Sequence, residues 1–144
     1  MTDFPSDKWF TRLTATAVED PEAFERLGFA ELRLLVAVVD GEDVRRFGIV
    51  LDGYDVDYAG EVDDAEAFAA DATVVGPLAA WSEMAENIAE HGRADNEHTI
   101  NRLTMAGDPL RVEAPNAMGH DKFFRYAETL QALFDGTGRD RVPA

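Results

Sequence analysis

The sequence predicts an α/β (α+β) fold in which a mixed sheet of five strands is covered by helices. Three observations lead to this prediction: residues 32–62 have the pattern of three strands joined by tight turns, residues 71–75 form a short strand that leads directly into a helix, and most of the chain after residue 78 has helical spacing. A run of strands followed by helices can bury one face of a sheet against a helical layer. A length of 144 residues is that of one domain.

The N-terminal part, residues 1–30, is predicted to form two short helices. Ser6 can cap the first, whose apolar positions lie three or four residues apart, and Asp20-Pro21 supplies a capping side chain and a first-turn proline for the second. Gly28 is expected to end it. The apolar positions are Trp9, Phe10, Leu13, Ala17, Phe24 and Leu27.

The segment 31–62 is predicted to be an antiparallel meander. In residues 32–39 both alternating sets of side chains are apolar, which is typical of a central strand covered on both faces. Residues 44–51 and 54–62 form the next two strands, after turns at 40–43 and 52–53. In the third strand we expect one apolar face, formed by Tyr54, Val56, Tyr58 and Val62, and one acidic face.

The segment 71–136 is predicted to run strand, helix, helix, strand, helix. Residues 71–75 are rich in β-branched side chains, Gly76 permits a change of direction, and Pro77 suits the first position of a helix over residues 78–91. Gly92 can end that helix. Its apolar positions, Leu78, Trp81, Met84, Ala85 and Ile88, make one face with Trp81 as the largest group.

Two further helices are predicted after it. The first covers residues 96–106 and ends at Gly107, and the second covers residues 121–135 and ends at Gly136. Between them residues 110–114 alternate as a fifth strand, whereas residues 63–70 have room for one helical turn around Phe68. We expect residues 137–144 to be a flexible tail.

The charge of the chain excludes some classes of partner. Twenty-nine acidic residues against thirteen basic ones give a formal charge of −16, which opposes phosphate backbones and anionic lipid surfaces, so nucleic acid is not expected. The longest apolar run, residues 34–39, is far shorter than the ~20 residues that span a bilayer. No signal peptide begins the sequence, and cysteine is absent, as is common in reducing compartments. We therefore expect a cytoplasmic protein without a membrane span.

The motifs of catalysis and cofactor binding are missing. The two serines, Ser6 and Ser82, lie outside a nucleophile elbow, and no glycine-rich phosphate loop occurs. The three histidines, His91, His98 and His120, match no zinc spacing. We therefore predict no catalytic residue, no metal and no cofactor. One enzyme alternative stays open, a small cofactor-free isomerase or hydratase of cone-shaped α+β fold, with Asp55 or Asp57 as base and Tyr54 or Tyr58 as hydrogen-bond donor.

The remaining candidate site is a set of large apolar side chains on the three C-terminal helices. Such a set forms either an ordinary core or the wall of an apolar cavity that holds a hydrophobic small molecule. An apolar helix face can also dock a partner protein or a second copy of the chain. The candidate residues are Trp81, Met84, Ile88, Ile100, Leu103, Met105, Met118, Phe123, Phe124, Tyr126, Leu130 and Phe134.

Three segments resemble the sterol carrier protein type 2-like lipid-binding family. Residues 70–76, Ala-Asp-Ala-Thr-Val-Val-Gly, are similar to the family's Ala-Asp-x-Thr strand before a helix, and residues 103–112 are similar to its strand before the terminal helix. Trp9, Leu13 and the helix start at residues 20–24 also resemble bacterial members. The resemblance extends from about residue 9 to residue 134.

This resemblance implies a function as well as a fold. It implies five strands with helices over one face and an apolar tunnel for sterols, fatty acids or acyl-CoA, without catalysis by the domain. The strong negative charge of the chain favours a neutral lipid or steroid over the anionic acyl-CoA.

Overall fold

The computed structural model describes residues 3–105 and 109–139. The elements in chain order are α1 (Asp7–Glu19), α2 (Pro21–Leu27), β1 (Ala30–Asp40), β2 (Asp43–Gly53), β3 (Asp55–Glu61), α3 (Ala65–Phe68), β4 (Ala72–Pro77), α4 (Leu78–His91), α5 (Ile100–Leu103), β5 (Arg111–Glu113), α6 (Ala117–Arg125) and α7 (Ala127–Arg139).

The strands form one five-stranded sheet in the order β3-β2-β1-β4-β5. The meander β1–β3 is antiparallel, β4 pairs parallel to β1, and β5 pairs antiparallel to β4. This confirms the predicted mixed sheet and its N-terminal meander. β1 lies at the centre, and the burial of both Leu35 and Val36 explains why its two alternating sets are apolar.

One face of the sheet carries the main core. α1 and α4 pack on it, and α7 lies along both helices. The Phe10 ring of α1 stacks on the Phe47 ring of β2 with centroids 4.4 Å apart, and Trp9 of α1 contacts Phe134 of α7 at 5.8 Å. Aromatic contacts therefore help to hold the helical layer to the sheet and to itself.

The opposite face carries a smaller cluster. Leu35, Val50 and Phe68 are buried together there, with Phe68 supplied by the single turn α3 that was predicted around it. The Arg33 guanidinium lies 4.6 Å from the centre of the Phe68 ring and donates hydrogen bonds of 2.9 and 2.7 Å to the Phe68 main-chain oxygen. The sheet is thus covered on both faces near its centre.

The predicted two-faced pattern of β3 is wrong. Val50 pairs with Tyr58 but Leu51 pairs with Val56, so Asp57 is an extra residue in β3, a β-bulge. The bulge reverses the alternation, because one inserted residue moves every following side chain to the other face. Val56 and Ala59 are buried in the main core, whereas Tyr54 and Tyr58 are exposed.

The junction between β4 and α4 follows the prediction closely. The strand covers Ala72–Pro77 and α4 covers Leu78–His91, with Gly92 in the left-handed conformation after it. Pro77 is the residue that precedes the first helical turn, one position earlier than expected.

The predicted helix 96–106 is reduced to the one-turn α5. The Asp95 side chain accepts a hydrogen bond from the main-chain N–H of Glu97, and His98 N–H donates to the Asp95 main-chain oxygen, so residues 95–98 form a turn instead of a helix. Thr99 then caps α5 by accepting from Arg102 N–H. The predicted stop at Gly107 lies outside the described residues.

The C-terminal helix also differs from the prediction. Residues 117–139 form two helices, α6 and α7, that meet at Tyr126, and Asn116 caps α6 ahead of the predicted start. Gly136 does not end α7, which continues to Arg139. A methyl group at Gly136 would overlap Cγ2 and Oγ1 of Thr16, so this glycine serves the close approach of α7 to α1. Residues 137–139 of the predicted tail are helical, and residues 140–144 lie outside the described part.

Candidate hydrophobic ligand site

The structure divides the twelve predicted site residues into two groups. Trp81, Met84, Ile88, Ile100, Leu103, Phe123, Leu130 and Phe134 are buried in the main core. Met105, Met118 and Phe124 are exposed, and Tyr126 is half-buried. The helices therefore bring eight of the residues together behind the sheet and leave the others at the surface. A shared role in ligand binding remains a prediction for the set.

Trp81 illustrates how closely this core is packed. Its indole N–H donates a hydrogen bond of 3.3 Å to the main-chain oxygen of Ala37 on β1, and only 1% of the residue is exposed. Its ring also stacks on Phe4, with centroids 6.2 Å apart. In this arrangement protein atoms fill the space next to the face of α4 that carries Trp81.

A surface groove lies between α5, α6 and α7. It has a volume of about 380 Å³ and is lined by Thr99, Ile100, Asn101, Phe124, Ala127, Glu128 and Gln131. Two predicted site residues, Ile100 and Phe124, thus meet in an open depression. The lining mixes apolar side chains with neutral hydrogen-bonding groups and one carboxylate.

Hydrogen bonds to α7 hold α5 and the loop before it in place. The Gln131 side chain accepts from Ile100 N–H at 2.7 Å and donates to Asp135 Oδ1 at 2.8 Å. Asp135 Oδ1 also accepts from Ala94 N–H at 2.9 Å. Because these bonds run from side chains of α7 to the backbone of the segment, they fix the position of α5 at the edge of the groove.

A second opening, which we call the recess, is bordered on α7 by Thr129 and Leu133 and shares no lining residue with the groove. It is a small apolar void of about 10 Å³ between α1, α2, α7 and the ends of β1–β3. Sequence reasoning placed its apolar residues in the core and did not assign them to a site, since they come from distant parts of the chain. The lining residues are Ala17, Phe24, Gly28, Ala30, Leu51, Gly53, Tyr54, Asp55, Val56, Thr129 and Leu133.

The two candidate bases of the enzyme alternative lie at different pockets. Asp55 and Tyr54 border the recess, whereas Asp57 borders a separate cleft of about 340 Å³ on the outer face of the sheet. The Tyr58 hydroxyl donates to the Glu61 main-chain oxygen at 2.6 Å. Burial raises the pKa of Tyr58 above its ordinary value of 10.0, and the carboxylates of Asp7, Asp63 and Glu61 act in the same direction.

Among the histidines, His98 has well-defined charged partners. Its Nδ1 lies 2.6 Å from Asp95 Oδ1, and its Nε2 lies 3.8 Å from Glu83 Oε2. The hydrogen bond to Asp95 raises the pKa of His98 above 6.5 despite partial burial, and the same bond lowers the pKa of Asp95. Within residues 3–105 and 109–139, no group of three or more His, Cys, Asp or Glu side chains is arranged to hold a metal ion.

The architecture matches solved structures over nearly its whole length. Sterol carrier protein 2 is 18% identical and superposes with a TM-score of 0.70, covering 94% of this chain and 98% of the other. The chain has the sterol carrier protein 2 fold. A conserved hypothetical protein from Thermus thermophilus, described as possibly a sterol carrier protein, is 17% identical with a TM-score of 0.67, covering 96% of this chain and 90% of the other.

The sterol carrier protein 2 fold is therefore recognised through structure, as the three resembling segments predicted. No family model and no curated protein matches the sequence. Within the described residues, none of the helices combines the length and apolar character needed to cross a membrane.

Proposed function

We propose that this protein binds and transfers a hydrophobic small molecule, such as a sterol, a fatty acid or a related lipid, without catalysing a reaction. The observation that carries the proposal is the shared fold with sterol carrier protein 2 over 94% of the chain. That protein is by its name a sterol carrier, and the function is carried over to this chain as a hypothesis.

The helical layer supports the proposal. Eight of the twelve predicted residues form one continuous apolar mass between α4, α5, α6, α7 and the sheet. The surface groove between α5, α6 and α7 gives a ligand a place to make first contact with Ile100 and Phe124. In the ligand-free arrangement the side chains fill the space, so a bound lipid displaces them and separates the helices.

Non-catalytic binding also agrees with the arrangement of the polar groups. Asp55 and Asp57 are exposed and border different depressions, so the two carboxylates do not share a dry pocket, and Tyr54, the donor beside Asp55, is itself 48% exposed. Steroid isomerisation or hydration that is abolished by Asp57→Asn, in a protein that remains folded, would contradict this part of the proposal.

Native mass spectrometry of protein purified without added lipid tests the binding. We expect a fraction of the molecules to carry a lipid-sized mass that disappears on denaturation. Added cholesterol or palmitate should raise the midpoint of unfolding, since a ligand at about 100 times its Kd stabilises the folded state by about 2.7 kcal/mol. In a Trp9→Phe background, the emission of Trp81 should change saturably with ligand. Absence of the bound mass, of stabilisation and of an emission change would refute lipid binding.

A further inference from the structure

The segment between α4 and α5 forms a strap across two helices of the main core. The strap consists of residues 93–102, which follow Gly92 and include the start of α5. It is hydrogen-bonded to both α4 and α7, and these two helices pack against each other. The strap therefore lies over the line where α4 and α7 meet. In the core behind these helices are four of the predicted site residues, Met84, Ile88, Leu130 and Phe134.

Two side chains of α4 anchor the strap. Asn87 donates to Asp95 Oδ2 and accepts from the Asp95 main-chain N–H, both at 2.9 Å. One turn earlier, the Glu83 carboxylate lies 3.8 Å from His98 Nε2. Because Glu83 and Asn87 are four residues apart, they stand on one face of α4, and the strap runs along that face toward the start of the helix.

Two side chains of α7 anchor the strap from the other side. Asp135 accepts from Ala94 N–H at 2.9 Å, and Gln131, one turn earlier, accepts from Ile100 N–H at 2.7 Å. A hydrogen bond of 2.8 Å joins the two anchors, since Gln131 Nε2 donates to Asp135 Oδ1. The strap is thus bound to successive turns of two helices, in each case through side chains of the helix.

Two open depressions border the strap. A polar one of about 450 Å³ lies beside its first residues, Ala94 and Asp95, with Asp135 in its wall. The groove between α5, α6 and α7 lies beside its last residues, with Ile100 and Gln131 in its wall. Each of the two α7 anchors therefore borders one of the openings, and displacement of the strap from these anchors would join the openings to each other.

The strap is held mainly by polar contacts that water can replace. Of residues 93–102, all of which the structure describes, Ile100 alone is buried, whereas α4 buries four residues and α1 five. A hydrogen bond that is exchanged for bonds to water contributes little net stability, so a segment with one buried side chain separates more readily than either helix. Its two ends stay attached, because Gly92 N–H donates to the last turn of α4 and the Leu103 oxygen accepts from Leu110 N–H.

We infer that the strap is the gate through which a hydrophobic molecule enters the main core between α4 and α7. This inference rests on the proposed function and names the route to its site. In the closed state Ile100 fills the entrance and the four anchors hold the strap. In the open state both ends remain attached, the anchors are hydrated, and the ligand passes to the apolar side chains behind. The strap then closes over the bound molecule, and the anchors form again.

Hydrogen exchange in the Asn87→Ala variant tests whether the strap opens as one unit. The substitution removes both bonds between α4 and Asp95 and leaves the two α7 anchors intact. We expect the amides of Ala94 and Ile100, whose acceptors lie on α7, to exchange about two- to tenfold faster, the effect of one lost hydrogen bond on an opening equilibrium. Amides of β1 should keep their protection, which shows that the protein remains folded.

Binding kinetics test whether this opening admits the ligand. Two fluorescent probes of different shape, cis-parinaric acid and dehydroergosterol, are mixed with the wild type and with Asn87→Ala in a stopped-flow instrument. The association and dissociation rate constants should both rise by the factor seen in hydrogen exchange, because the strap must open for entry and for release. The Kd should stay within about twofold, since the closed strap loses the same anchor with and without ligand. A residue that only lines the site would change the Kd instead.

Asn96→Ala is the matched control. It makes the same change at an exposed position of the strap, and within the described residues its side chain anchors to neither helix. It should leave hydrogen exchange and both rate constants unchanged. If Asn96→Ala acts like Asn87→Ala, the effect is a general loosening and the inference is overturned.

Three further results contradict the gate. Faster exchange of Ala94 and Ile100 with unchanged binding rates would show that the strap opens but does not admit the ligand. Unchanged exchange at these two amides would show that the strap does not move as a unit. A weaker Kd with an unchanged association rate would place Asn87 in the site itself. Binding of neither probe by the wild type contradicts the proposed function, whereas each of the other results contradicts only this inference.

Discussion

The indole N–H of Trp81 on α4 donates to the main-chain oxygen of Ala37 on β1, and this 3.3 Å hydrogen bond ties the helix to the central strand inside the core. Trp81 supplies both the largest apolar group of its helix face and a polar contact to the sheet. We expect Trp81→Ala to lower the free energy of unfolding by about 3–5 kcal/mol, because it leaves a cavity and removes the donor. Urea unfolding followed by circular dichroism measures the change.

The same substitution discriminates between a filled core and a ligand cavity. A residue that borders a void has fewer contacts to lose, so truncation there costs less. A loss well below about 3 kcal/mol would show that the Trp81 ring borders space that a ligand can occupy. Trp81→Phe is the control, since it removes the hydrogen bond to Ala37 while keeping most of the apolar volume.

The contact between Gly136 and Thr16 gives a second prediction. Alanine stabilises an ordinary helix by about 1 kcal/mol relative to glycine. At Gly136 the added methyl group meets Cγ2 and Oγ1 of Thr16 on α1, so we expect Gly136→Ala to destabilise the protein by about 1–3 kcal/mol. Differential scanning calorimetry should show a lower Tm. The double variant with Thr16→Ala should recover only part of the loss, because the Cβ of residue 16, 2.7 Å from the added methyl group, remains. An unchanged or higher Tm in the single variant would contradict the packing.

His98 gives stability that depends on pH. Its pKa is raised above 6.5, chiefly by the hydrogen bond to Asp95 and further by the Glu83 carboxylate. The protonated form is therefore favoured in the folded state, and the stabilisation is fully present below about pH 6.5 and is lost as pH rises through the raised pKa. We expect His98→Gln to flatten the decline of urea midpoints as pH rises above about 6.5, whereas His120→Gln keeps it. Parallel profiles for His98→Gln and wild type would refute this role.

Gln131 connects α7 to α5, which forms one edge of the groove. Its side chain accepts from Ile100 N–H, so Gln131→Leu leaves that partly buried donor without its partner, at a cost of about 1–3 kcal/mol. We expect the Ile100 amide to exchange hydrogen faster while amides of β1 keep their protection. Asn101→Ala, at an exposed neighbour in α5, is the control. Unchanged exchange at Ile100 would show that the hydrogen bond does not hold the segment.

Local signals in the sequence were sufficient for several elements. Asp20 and Pro21 start α2, Gly28 follows its last turn, and Gly92 follows α4, as predicted. These signals are reliable because a cap acts on backbone groups within three or four residues of itself. The apolar character of both faces of β1 likewise predicted its central position, since a strand buried on both sides has no polar face.

Contacts between distant residues decided the rest of the fold. Gly136 has the sequence character of a helix stop, but it lies inside α7 because Thr16, far earlier in the chain, needs the space of its missing side chain. The bulge at Asp57 depends on pairing between β2 and β3, and it moves Tyr58 to the surface and Ala59 into the core. Neither feature leaves a local pattern.

The candidate site also depends partly on local sequence signals and partly on contacts between distant residues. Helical periodicity determined which residues of α4 to α7 would be apolar and inward, and Trp81, Met84, Ile88, Leu130 and Phe134 are buried as it predicts. Periodicity cannot say whether an inward side chain meets a partner or a void, because it describes one helix at a time. Only the tertiary structure brought Ala17, Phe24, Leu51 and Leu133 around the recess, since openings form where several elements fail to fill the space between them.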